Sequence, residues 1–97
     1  MFYAKVYHIE GETLVAICDK NLLGKRFEEE KLLLEVKREF YGGNIVDREE
    51  ASKLLKMATI ANLVGENIIS LAIELGIVKR ENVLKIQNIP HAQMAIL

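Results

Sequence analysis

Over the first third of the chain, short runs of β-branched and aromatic residues alternate with polar breaks, and beyond residue 47 a 3.6-residue period takes over. Residues 2 to 8 and 13 to 18 flank the polar tip Glu10, Gly11, Glu12 and predict an opening β-hairpin. In DKNLLGK, Leu22 and Leu23 precede Gly24, the pattern of a single helical turn closed by a left-handed residue. EEEKLLLEV places Leu32, Leu34 and Val36 on one side of a third strand, with Leu33 and Glu35 on the other. FYGGN, residues 40 to 44, reads as a turn whose adjacent glycines let another group approach the backbone closely.

Asp47 caps a helix whose apolar positions Ala51, Leu54, Leu55 and Ala58 fall in a stripe of about 100°. Glu49 and Glu50 occupy its first turn, where the dipole favours them. Extended past Ala58, the same helix would carry Asn62 onto the apolar stripe, so it ends there and residues 59 to 63 form a short strand. From Gly65 the helical period resumes, with Glu66, Asn67, Ser70 and Glu74 on one arc and apolar residues elsewhere. This second helix is mostly buried, and Gly76 ends it. VLKIQ and QMAIL supply two further strands around a break at Asn88, Ile89 and Pro90. The expected fold is α+β: a single-domain two-layer sandwich over residues 1–97, a mixed β-sheet with two helices on one face.

Ninety-seven residues are too few for two independent cores. The 13 basic and 14 acidic side chains nearly cancel, which excludes coating of nucleic acid by bulk charge and leaves only a local basic patch. Cys18 is the single cysteine and has no internal disulfide partner. FYAKVYHIE lacks the apolar stretch of a signal peptide, and no run reaches bilayer-spanning length. The expectation is a soluble cytoplasmic protein with no membrane partner and no cofactor.

Four groups of residues bear on function. A strand, Asn62, Gly65 and a helix N-terminus make a geometry for an anion, although repeated glycines and a lysine are absent and Glu66 brings a negative charge; the plainer reading is a tight turn with Asn62 bonded to nearby backbone. Cys18 with Asp19 and His91 supplies the residue types of a thiol nucleophile, an orienting carboxylate and a base. Against that stands the usual role of a strand cysteine as a small buried hydrophobe. Cys18, His8 and His91 lack the spacing of zinc ligands, so no metal is expected. Lys20, Lys25 and Arg26 around the DKNLLGKR loop, with Tyr41, Gly42 and Gly43, combine phosphate-binding cations with an aromatic face and an approachable backbone, as many RNA contacts do. AQMAIL is apolar throughout and, at a sheet edge, offers backbone to a second chain.

CDKNLLGK, FYGG, TIANLVGE and IPHAQ occur in an order that resembles the archaeal family of small uncharacterised proteins called domain of unknown function 424. The resemblance implies an archaeal cytoplasmic protein and supplies no reaction. Its polar motif members in this sequence are Asp19, Lys25, Tyr41, Asn62, Glu66, His91 and Gln93. The leading reading is a binding module for RNA or a ribonucleoprotein, acting in translation through Lys20, Lys25, Arg26, Tyr41, Gly42, Gly43, Asn62, Gly65, His91 and Gln93. One alternative is a small enzyme with a Cys18, Asp19 and His91 site. The other is a structural module that pairs with a protein partner, or as a homodimer, through its C-terminal strand.

Overall fold

The computed structural model describes residues 1–96, so Leu97, the end of the expected QMAIL strand, lies outside it. Eight strands and three helices follow in the order β1 (Phe2–Ile9), β2 (Glu12–Asp19), β3 (Arg26–Glu29), β4 (Leu32–Glu35), α1 (Arg38–Tyr41), β5 (Asn44–Val46), α2 (Arg48–Met57), β6 (Ile60–Val64), α3 (Glu66–Glu74), β7 (Leu84–Ile86) and β8 (Ile89–Ala95). Six strands form one sheet in the order β5-β1-β2-β6-β8-β7, and β3 and β4 form a separate two-stranded sheet. The β2–β6 pair is parallel and every other pair is antiparallel, so the sheet is mixed.

Strand alternation gives each face of the sheet its own cover. Phe2, Ala4, Val15, Ile17, Ala61, Leu63 and Ala92 turn toward α2 and α3, where they meet Ala51, Leu55, Ile68, Leu71 and Ala72. This is the larger core, and both long helices lie on it as expected. The opposite face carries Ala16, Cys18 and Val64, covered by Leu22, Val36 and Tyr41 with partly buried Phe27, Leu34 and Phe40. Its lid is the β3–β4 hairpin together with the short helix α1.

Local chemistry accounts for the boundaries. The Asp47 side chain accepts a hydrogen bond from the Glu50 N–H at 2.9 Å and starts α2. The 3-10 turn Lys20–Leu22 runs into Gly24 at φ +83°, the left-handed closure read from DKNLLGK. Two strands were not legible: β3, hidden in the acidic run 26 to 29, and β5, which follows the FYGG turn. The C-terminal break also moves. Gln87 and Asn88 take φ +51° and +64° in a two-residue hairpin turn. Ile89 and Pro90 therefore belong to β8, which begins before the expected QMAIL strand.

Candidate functional site

The Gly65 junction joins β6 to α3, and the anion at that helix N-terminus comes from the chain itself. Asp19, at the end of β2 and 5% exposed, accepts from the backbone N–H groups of Asn67 and Ile68, each at 2.9 Å. Both carboxylate oxygens are engaged in a cap that bridges 48 residues of sequence. Gly65 sits at φ +123°, and a Cβ there would strike the Asp19 carboxylate. Its want of a side chain is thus explained by the cap, and the anion-site reading of Gly65 is corrected: Asp19 already fills the position an external anion would take.

The same bonds weaken the enzyme alternative. Cys18 is fully buried, and burial pushes its thiol from 9.0 up to about 12, with the Asp19 charge adding to the rise. A thiol so placed stays protonated near neutrality and is a poor nucleophile. Cys18, Asp19 and His91 share no hydrogen bond among the described residues. Nor do any three His, Cys, Asp or Glu side chains among those residues group closely enough to hold a metal ion.

A basic cluster forms where two segments meet. The Gly24 N–H donates to the Val36 carbonyl at 2.7 Å, and the Val36 N–H donates to the Lys25 carbonyl at 2.9 Å. These bonds bring Lys25 and Arg26 beside Lys37 and Arg38, around a depression of about 280 Å³ that also includes Glu35 and Glu39. The Arg38 guanidinium lies over Gly24. All four cations are exposed, and among the described residues only Arg26 has a carboxylate partner, Glu28 at 3.4 Å. Lys37 and Arg38 escaped the sequence reading, because nothing local shows that residue 37 folds back on residue 25. Lys20 is exposed but stands apart from this depression.

The FYGG reading needs two corrections. Tyr41 is only 7% exposed, packed under the lid with burial pushing its phenol from 10.0 up to about 12, so it offers no stacking face. The group that approaches Gly43 is the β1 backbone, since a Cβ there would meet the Ala4 carbonyl. Gly42 closes α1, its N–H donating to the Arg38 carbonyl at 2.8 Å. The half-buried aromatic is Phe40, whose ring stacks on Tyr7 with centroids 5.4 Å apart.

Asn62 and Gln93 are brought together. They are cross-strand partners on β6 and β8, and the Gln93 Nε2 donates to Asn62 Oδ1 at 2.9 Å. His91 lies on the same side of β8 two residues earlier. Its Nε2 is buried and meets no hydrogen-bond partner among the described residues, and burial lowers the imidazole below its usual pKa.

Other surfaces are apolar or structural. A groove of about 730 Å³ between α3 and the β7–β8 hairpin is floored by Ile69, Ile73, Val83 and Pro90. No helix of the described residues is long and apolar enough to cross a membrane. The outer edge of β8 beyond His91 has no ladder partner among the described residues, because β7 pairs only with residues 89 to 91.

Comparison with known proteins places this geometry in context. Residues 7–97 match the family described as "Protein of unknown function (DUF424)". No curated protein matches the chain. Among solved structures, an uncharacterized conserved protein from Methanopyrus kandleri is similar with a TM-score of 0.82 at 23% identity, over 99% of this chain and 91% of that one. At that identity the likeness bears on the fold.

Proposed function

We propose a function for a chain that belongs to the archaeal DUF424 family, proteins of unknown function: it is a binding module for RNA, free or within a ribonucleoprotein, that engages phosphates through Lys25, Arg26, Lys37 and Arg38. The observation that carries this reading is the pair of backbone bonds that hold residues 24 and 25 against Val36, and so gather four exposed cations from two segments. A core has no use for them, and in a chain of net charge −1 their grouping is local. Guanidinium and ammonium groups on ordered backbone are the usual means of holding phosphate oxygens. Glu35 and Glu39 beside them moderate the field and favour a spaced row of phosphates over one concentrated charge.

Binding of a fluorescent oligouridine, followed across a salt series, tests this. Three or four phosphate contacts give a slope of log affinity against log salt of roughly −2 to −3. Charge reversal in Lys25→Glu/Lys37→Glu is expected to weaken binding and flatten that slope with the melting temperature unchanged. No binding at low salt, or binding indifferent to the charge reversal, contradicts the reading.

A second reading has an observation of its own. The open outer edge of β8, with Leu84 on β7 and Ile96 about two-thirds exposed, suits strand pairing with a protein partner or a second copy. Sedimentation of the purified protein checks self-pairing: a dimer supports it and a monomer at high concentration removes it.

A further inference from the structure

The lid covers only part of the second sheet face. Following the register across the strands, Lys5, Ala16, Asn62 and Gln93 form one row, and Tyr7, Leu14, Ile60 and Ala95 form the next. The β1 end of both rows lies under α1: the Lys5 Nζ donates to the Glu39 carbonyl at 2.8 Å, the Tyr7 hydroxyl donates to the Phe40 carbonyl at 2.7 Å, and Phe40 stacks on Tyr7. At the β6–β8 end Asn62 is half-buried and Gln93 is exposed. The amide pair therefore lies two strands from Lys5, roughly 10 Å at ordinary strand spacing, and α1 itself carries Arg38 of the basic cluster.

Two primary amides offer two carbonyl acceptors and two amino groups. The Gln93-to-Asn62 bond uses one donor and one acceptor, and leaves an amino group and a carbonyl side by side. Whichever way the amides are turned, one donor group and one acceptor remain. That combination matches the Watson–Crick or Hoogsteen edge of a nucleobase, which is readable only when the base is unpaired. Beside the pair, His91 lies on the same strand face, its Nε2 buried and without a hydrogen-bond partner among the described residues.

We infer that the open half of this sheet face seats the unpaired bases of single-stranded RNA, the Asn62–Gln93 pair bonding a base edge while the strand's phosphates run over α1 to Lys37, Arg38 and Lys25. This deepens the phosphate-binding reading and rests on it. It names the substrate class, single-stranded rather than duplex RNA. A duplex keeps its Watson–Crick edges occupied and presents only phosphates to the cluster.

The test compares oligouridine, oligoadenosine and the duplex they form, binding to the wild type, to Asn62→Val/Gln93→Val and to Lys25→Glu/Lys37→Glu. Replacing both amides leaves neither partner orphaned in the sheet, and Gln93→Ala, at an exposed position, serves as a second variant should the valine pair disturb folding. Wild type is expected to prefer at least one single strand over the duplex about tenfold or more. The valine pair is expected to lose that preference, with single-strand affinity down about tenfold and the salt slope unchanged. Equal wild-type affinity for single strands and duplex overturns the inference, as does undiminished single-strand binding by both amide variants. If the charge-reversed protein still loses binding in that case, base reading falls alone; if wild type binds none of the three at low salt, the phosphate reading falls with it.

Discussion

The two faces of the sheet are covered by unlike materials. On one, α2 and α3 bring aliphatic side chains against Val15, Ile17 and Leu63, all at or below 1% exposure. On the other, a four-residue helix and a two-stranded ribbon bring aromatics and leave Asn62, Gln93 and a buried, unpartnered His91 nitrogen at the margin. Polar side chains in that position do not help a core to form, and they lie on the sheet face whose lid carries the grouped cations. The comparison teaches that stability resides on the helix face and that recognition is to be sought on the lidded one.

The largest expected effect breaks the helix face at its junction. Gly65→Val combines backbone strain at φ +123° with displacement of the Asp19 cap, a loss of about 4 kcal/mol. Chemical denaturation measures it, and an unchanged midpoint removes the account of the cap. Next, Leu63→Ala in the helix-face core is expected to cost about 3 kcal/mol, whereas Leu34→Ala in the partly buried lid costs about 1 kcal/mol. Equal costs would erase the difference between the faces.

Titration sharpens the contrast, because the groups with displaced pKa values belong to the lidded face. Cys18 and Tyr41 titrate at about 12 when folded and near 9.0 and 10.0 when exposed. Folding therefore favours their protonated forms: stability is full below pH 9.0 and falls as pH rises toward 12. His91 is shifted the other way, so its contribution is full above its ordinary value of 6.5 and is lost as pH falls below it. Urea midpoints across pH follow both limbs, with the acid limb reduced in His91→Gln. Slow labelling of native Cys18 by a thiol reagent at neutral pH accompanies the same burial; rapid labelling would return it to consideration as a nucleophile. The smallest effect on stability is expected for Lys25→Glu/Lys37→Glu, within about 0.5 kcal/mol.

Most of the helix face was legible, because local patterns report it. The stripe of Ala51, Leu54 and Leu55, the Asp47 cap, and the polar arc of Glu66, Asn67, Ser70 and Glu74 each lie within one helix, and all recur in the structure. The lid was not. β3 has one partly buried residue, Phe27, among charged neighbours, and it pairs with β4 in a two-stranded ribbon outside the main sheet. The candidate site was half legible for the same reason. Asn62 and Gln93 are among the polar members of the family's motifs, but their meeting depends on pairing across 31 positions. Tyr41 and Gly43 carried the right chemistry for a contact and proved to make it with their own chain. Nothing local marks Lys37 and Arg38, because the return of Val36 to Lys25 is a tertiary event.

The most direct test of the central claim is the map of backbone amide shifts when labelled protein is titrated with oligouridine at low salt. The account predicts perturbations at Lys25, Lys37, Arg38 and Phe40, and at Asn62, His91 and Gln93 on the open sheet face, with α2 and the groove beside α3 unmoved. Perturbations confined to α2, α3 or the β5 edge, or a spectrum unchanged by the oligonucleotide, would contradict it.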